Sequence, residues 1–103
     1  MALDFAILGQ DGTPREQVSI RSDAHHRLMQ LARSAACPKL ERVGEYYEDA
    51  LFEAAEIPAL LREIEALLHR HVDDQEVVTF LHSFKGLASK ASAAKEPITV
   101  IAD

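Results

Sequence analysis

The chain has no tryptophan and no asparagine, and it holds a single cysteine among 103 residues. One cysteine cannot close an internal disulfide, so Cys37 points to a reducing, cytoplasmic setting. Glycine and proline are scarce, at four each, which rules out collagen-like, linker-like and low-complexity sequence. No apolar run approaches the ~18 residues that span a bilayer, and the opening Met1-Ala2-Leu3-Asp4-Phe5 has no basic stretch of a signal peptide. Neither membrane insertion nor secretion by that route is expected. Basic charge is also short. Eleven Lys and Arg face seventeen Asp and Glu, a formal net charge of -6, and phosphate neutralisation needs the opposite balance. A nucleic-acid partner is therefore not expected.

What is present fits one domain over residues 1–103. A hydrophobic fraction of 48% with 27% charged residues belongs to an ordinary globular chain rather than a disordered one. A domain of this length buries roughly two-thirds of its unfolded surface and needs no disulfide or metal to hold it.

Residues 2–8 alternate, with Leu3, Phe5 and Ile7 on one side, the period of a strand. The turn formers of 9–14 follow, with Gly12 placed for a positive φ, and then Val18 and Ile20 alternate in a second strand. The two strands predict a β-hairpin. Ser22 or Asp23 offers an oxygen to cap a first helix carrying Ala24, Leu28, Leu31 and Ala35, which should stop before Pro38. Segment 39–53 fits two patterns: a short helix through Leu40, Val43 and Tyr47, or extended chain from Tyr46 to Phe52. Helix resumes at Pro58, with Ile57, Leu60, Leu61, Ile64, Leu67 and Leu68 as its stripe. Asp73 or Asp74 caps a last helix, in which Val77, Phe80, Leu81, Phe84, Leu87, Ala88 and Ala91 keep the 3.6-residue period. Gly86 interrupts it, a place where another backbone would approach closely. Residues 98–102 alternate again as a third strand that should return to the hairpin. The fold class predicted is two-layer α+β: a three-stranded antiparallel or mixed sheet packed with about three helices, the last two as an antiparallel pair.

The residues that carry chemistry do not assemble into a catalytic pattern. His69 and His71 diverge by about 200° on a helix end, and His25 and His26 by about 100°, so neither pair shares a metal ion. These read as surface or capping histidines, with His25 partly buried beside Leu28. Cys37 sits at a helix end where the dipole disfavours a thiolate. Ser34 and Ser83 lack a nucleophile-elbow context, and Asp73-Asp74-x-Glu76 lacks the spacing and glycine of a calcium loop. No enzyme and no cofactor are expected.

Charge distribution is more telling. Residues 45–56 hold five carboxylates and no basic side chain, whereas residues 13–44 carry six Lys and Arg against three Asp and Glu. Such a window steers a basic partner, and the tyrosines inside it suit interface anchors. The candidate contacts are Glu45, Tyr46, Tyr47, Glu48, Asp49 and Glu53. The same residues also fit an ordinary polar face with Tyr47 partly in the core.

The Leu3-Asp4-Phe5 strand, the Tyr46-Tyr47-Glu48-Asp49-Ala50 block and the terminal Ile101-Ala102-Asp103 resemble small bacterial immunity-type proteins. These are cytoplasmic inhibitors encoded beside secreted polymorphic toxins. The resemblance implies a non-catalytic protein that blocks a toxin domain by laying an acidic surface over a basic one. A small cytoplasmic adaptor or regulator with a different protein partner fits the same residues.

Overall fold

The structure is a computed structural model, and it describes residues 2–44, 50–70 and 72–102. Strand β1 (Ala2–Leu8) pairs antiparallel with β2 (Pro14–Arg21), in a register that sets Leu3 opposite Ile20 and Phe5 opposite Val18. Alternation thus places one apolar set on one face of the hairpin. At the turn, Gly9 N–H donates to the Thr13 carbonyl at 2.8 Å and Gly12 takes φ +83°. The Asp11 carboxylate accepts both the hydroxyl and the N–H of Thr13, at 2.7 and 3.1 Å. Those bonds favour the ionised form and hold the Asp11 pKa below its ordinary value.

The last strand of the chain, β4 (Ile98–Ala102), returns antiparallel to β1 with Val100 opposite Phe5. On its other side it pairs antiparallel with β3 (Ala50–Phe52), Ile98 lying opposite Phe52. The sheet order is β2-β1-β4-β3. It has four strands, one more than the sequence predicts. Of the two patterns read in 39–53, the helix is only α2 (Pro38–Glu41), ending before Val43, and the strand is only β3 (Ala50–Phe52); Tyr46 and Tyr47 lie outside the described residues. Three residues are too few for a two-residue period to declare itself.

Helix α1 (Ser22–Ser34) starts directly at the end of β2, with no loop. Neither Ser22 nor Asp23 caps it, contrary to expectation. The residue before the helix is Arg21, still extended at φ -77°, ψ 158° and paired with Ala2, so Ser22 and Asp23 are already inside the first turn. There Asp23 complements the helix dipole instead. At the far end Ala36 adopts φ 54°, Cys37 N–H donates to Ala32 O at 2.9 Å, and the helix stops before Pro38.

Helices α3 (Ile57–Leu68) and α4 (Gln75–Ala94) pack on one another, and α4 lies on β1 and β2. A short 3₁₀ turn (Ala54–Glu56) leads into α3, and Asp74 is the residue that caps α4, accepting from Val77 N–H at 3.3 Å. All seven apolar positions of the α4 stripe are buried. In α3, Ile57, Leu60, Ile64 and Leu67 are fully buried, while Leu61 and Leu68 flank the core half-covered. Phe5 meets the α4 stripe at its centre, with ring centroids 4.6 Å from Phe84 and 5.3 Å from Phe80. Gly86 does not receive a neighbouring backbone. Nothing lies within 4 Å of where its Cβ would stand, and it faces outward.

One buried cluster runs through sheet and helices, so the architecture is two-layer α+β. The opposite face of the sheet carries Asp4, Gln17, Ser19, Leu51 and Thr99, the other half of each alternation. Among the described residues no helix is long and apolar enough to cross a membrane.

Candidate functional site

Of the six candidate contacts, Glu45, Tyr46, Tyr47, Glu48 and Asp49 lie outside the described residues, and Glu53 lies within them. What the structure defines is how the chain is held on either side of segment 45–49.

On the N-terminal side the hold begins at α2. Four residues cannot sustain a helix by themselves. The Glu63 carboxylate on α3 supplies the missing cap, accepting the N–H groups of Lys39 and Leu40 at 3.1 and 2.9 Å. Leu40 and Val43 are buried in the core. Beyond them, the Val43 carbonyl contacts His25 Nε2 at 2.6 Å. A carbonyl only accepts, so this ring nitrogen carries the proton.

His25 is buried, and burial is the main reason its pKa falls below 6.5. Nearby His26 and Arg33 push it the same way, while the bond to Val43 opposes them. The folded state therefore holds His25 neutral. Between its lowered pKa and 6.5 the unfolded chain binds a proton that the folded chain does not, so this contribution is complete above pH 6.5 and is lost as the pH falls. Urea unfolding at pH 7.5 and 5.5 should show a lower midpoint at the acid pH. In His25→Gln, whose amide still reaches Val43, most of that drop should vanish. An equal drop in the variant would place the acid sensitivity elsewhere.

On the C-terminal side the hold centres on Arg42 and Glu56. Arg42 donates to the Leu51 carbonyl at 3.3 Å, stands 5.4 Å from the centroid of the Phe52 ring, and meets Glu56 at 2.5 Å. Lys39 Nζ reaches the same carboxylate at 3.1 Å, and Glu53 N–H donates to it at 2.9 Å. Chiefly through Arg42, these donors hold the Glu56 carboxyl far below the usual carboxylate range. Glu56 is thus a structural clamp. Lys39 and Arg42 thus balance the charge at the Glu56 end of the acidic window. Glu53 and Leu51 are both exposed; Leu51, at 43%, is the exposed large hydrophobic among the described residues.

Sequence reasoning did not find Lys39, Arg42 or Glu63. Their partners are 9 to 24 residues away, beyond any local periodicity. The one available signal was the block of cations directly preceding the block of acids.

Elsewhere several charged groups are held in structural ion pairs. Arg27 joins Asp74 at 2.6 Å and Glu76 at 2.9 Å, and Arg21 joins Glu76 at 2.8 Å. Arg27 thereby lowers the Asp74 pKa. Cys37 is buried, and burial followed by the Glu63 charge pushes its thiol pKa up, away from a reactive thiolate. Among the described residues no group of three or more His, Cys, Asp or Glu is placed to hold a metal ion.

Two adjoining grooves run between the outer strand β2 and α4. The larger, about 690 Å³, is lined by Val18, Ile20, Thr79, Phe80 and Ser83. The smaller, about 300 Å³, continues past Val18 and Ser83 to Gly86 and Lys90.

No family model, curated protein or solved structure matches the chain.

Proposed function

We propose that this chain is a non-catalytic protein-binding domain of the reducing cytoplasm, which covers a basic surface of its partner with the acidic, tyrosine-containing segment 45–56. This is the way of working implied by its resemblance to immunity-type inhibitors, and the partner would then be a cognate toxin domain. The observation that carries the reading is Leu51. It is exposed, it belongs to the edge strand β3, and it falls inside the acidic window beside Glu53. An exposed apolar side chain can form the dry centre of a contact with carboxylates at its rim, where they set orientation and association rate. Anchoring of both flanks supports the same reading, because fixed ends reduce the ordering cost that binding must overcome.

The test starts with the partner, recovered by co-purification on the tagged chain. In Glu48→Gln/Asp49→Asn/Glu53→Gln, association should slow about tenfold or more at low salt and lose most of its salt dependence, with the melting temperature retained. Tyr46→Ala or Tyr47→Ala should instead speed dissociation, by about 2 kcal/mol or more for the tyrosine that anchors. Unchanged kinetics of the triple variant at both low and high salt would reduce the window to a solvated face.

A further inference from the structure

We propose that β2 and α4 form a two-fold interface with a second copy of this chain, β2 pairing antiparallel with its counterpart about Val18 to make one continuous eight-stranded sheet. Among the described residues β2 pairs with β1 alone and ends the sheet. Its centre, Gln17–Ile20, is uncharged, while Arg15, Glu16 and Arg21 mark its ends. An outer strand of this kind is a template for another strand, and end charges select the register.

The occupant follows from symmetry of charge. Both grooves share Val18 from the strand and Ser83 from the helix. A two-fold axis perpendicular to the sheet through this point sets Gln17 opposite Ser19 of the second copy. It also runs the two α4 helices antiparallel about Ser83. Glu76 and Lys90, each seven residues from Ser83, then face each other across the seam, twice. Within one chain Lys90 already meets Glu16 at 2.5 Å and Glu76 meets Arg21 at 2.8 Å. Carboxylates and cations therefore alternate along the seam, from Glu16 and Lys90 to Glu76 and Arg21 of the second copy. Arg15 and Arg21 are the like charges brought opposite each other, and each has its own carboxylate, Arg15 on Glu96 at 2.8 Å.

Spacing fits as well. A strand pair at ~4.8 Å, with a helix over the β1–β2 pair on either side, sets the helix axes about 10 Å apart, a packing distance for helices. Among the α4 positions lining the grooves, Thr79, Ser83 and Gly86 are small enough for that approach, while Gln75, Phe80, His82 and Leu87 are larger. The pairing is independent of what segment 45–56 binds, since β3 lies at the opposite edge of the sheet.

Sedimentation equilibrium on the full chain, from about 1 µM to about 500 µM, should show a mass rising toward twice 11.4 kDa. Ser83→Arg, at an exposed position, should raise the dimer dissociation constant by about 100-fold or more. Lys90→Glu should raise it about tenfold. Both variants should keep the melting temperature of the dilute wild-type protein. Backbone amides of Gln17–Ser19 should exchange with solvent more slowly in concentrated than in dilute wild-type protein. A monomer across the whole range, or a dimer that neither substitution weakens, overturns the proposal.

Discussion

Phe84→Ala is expected to lower the stability of the folded chain by about 3–5 kcal/mol, measured by urea unfolding. The ring is fully buried, and it sits against Phe5 from the sheet and Phe80 from its own helix, at centroid distances of 4.6 and 5.4 Å. It is therefore the point where the two layers are joined. Truncation removes an aromatic side chain from a site that cannot collapse around the space, because a strand bounds it on one side and a helix on the other. A domain of this size has about 5–15 kcal/mol in total, so the variant should unfold at a markedly lower urea midpoint. A loss below about 1 kcal/mol would contradict the burial of the stripe. Leu61→Ala, at a half-covered position on α3, should cost less than Phe84→Ala in the same measurement.

A larger effect is expected for Val100→Pro. Val100 is buried in β4, directly opposite Phe5 of β1 and Ala50 of β3. Proline removes a backbone donor, and in the interior of a sheet its ring has no place. The cost should exceed about 4 kcal/mol, in the range reserved for lesions that disable a central element. The variant should lose its dispersed amide NMR spectrum and its cooperative melt. A well-dispersed spectrum would show that the sheet tolerates a break at β4.

The fold was legible where apolar residues repeat over several turns or strand periods. The β1–β2 alternation, the α4 stripe, the core of the α3 stripe and the return of 98–102 to the hairpin stand as read, because each is set by burial of one face. Leu61 and Leu68 of α3 are only partly covered. The failures share a different cause. β3 is three residues long, Ser22 and Asp23 were displaced as caps by a strand running straight into α1, and Gly86 interrupts the α4 pattern on the side facing out. At the candidate site, the acidic window was visible as composition. Its supports were not, because Glu63 on α2, Arg42 on Phe52 and His25 on Val43 are contacts made only once the chain is folded. The tyrosines and three of the four acids named from sequence, Glu45, Glu48 and Asp49, lie outside the described residues.

The position of β4 also orders events in time. β1 is synthesised well before β4, yet they are neighbours in the sheet, and β3 has β4 as its partner. Until residues 98–102 emerge, a growing chain has a hairpin with one open side and a short segment 50–52 with nothing to pair with. Closing contacts so distant in sequence is slow, since the entropy of closing the long intervening loop is lost before the contacts reward it. Nascent chains and chains clipped before residue 98 would display the β1 edge and its apolar face, the features that draw chains into aggregates. The same late closure sets the far end of the acidic segment, so a partner that requires both flanks in place would pass over unfinished copies and engage completed ones.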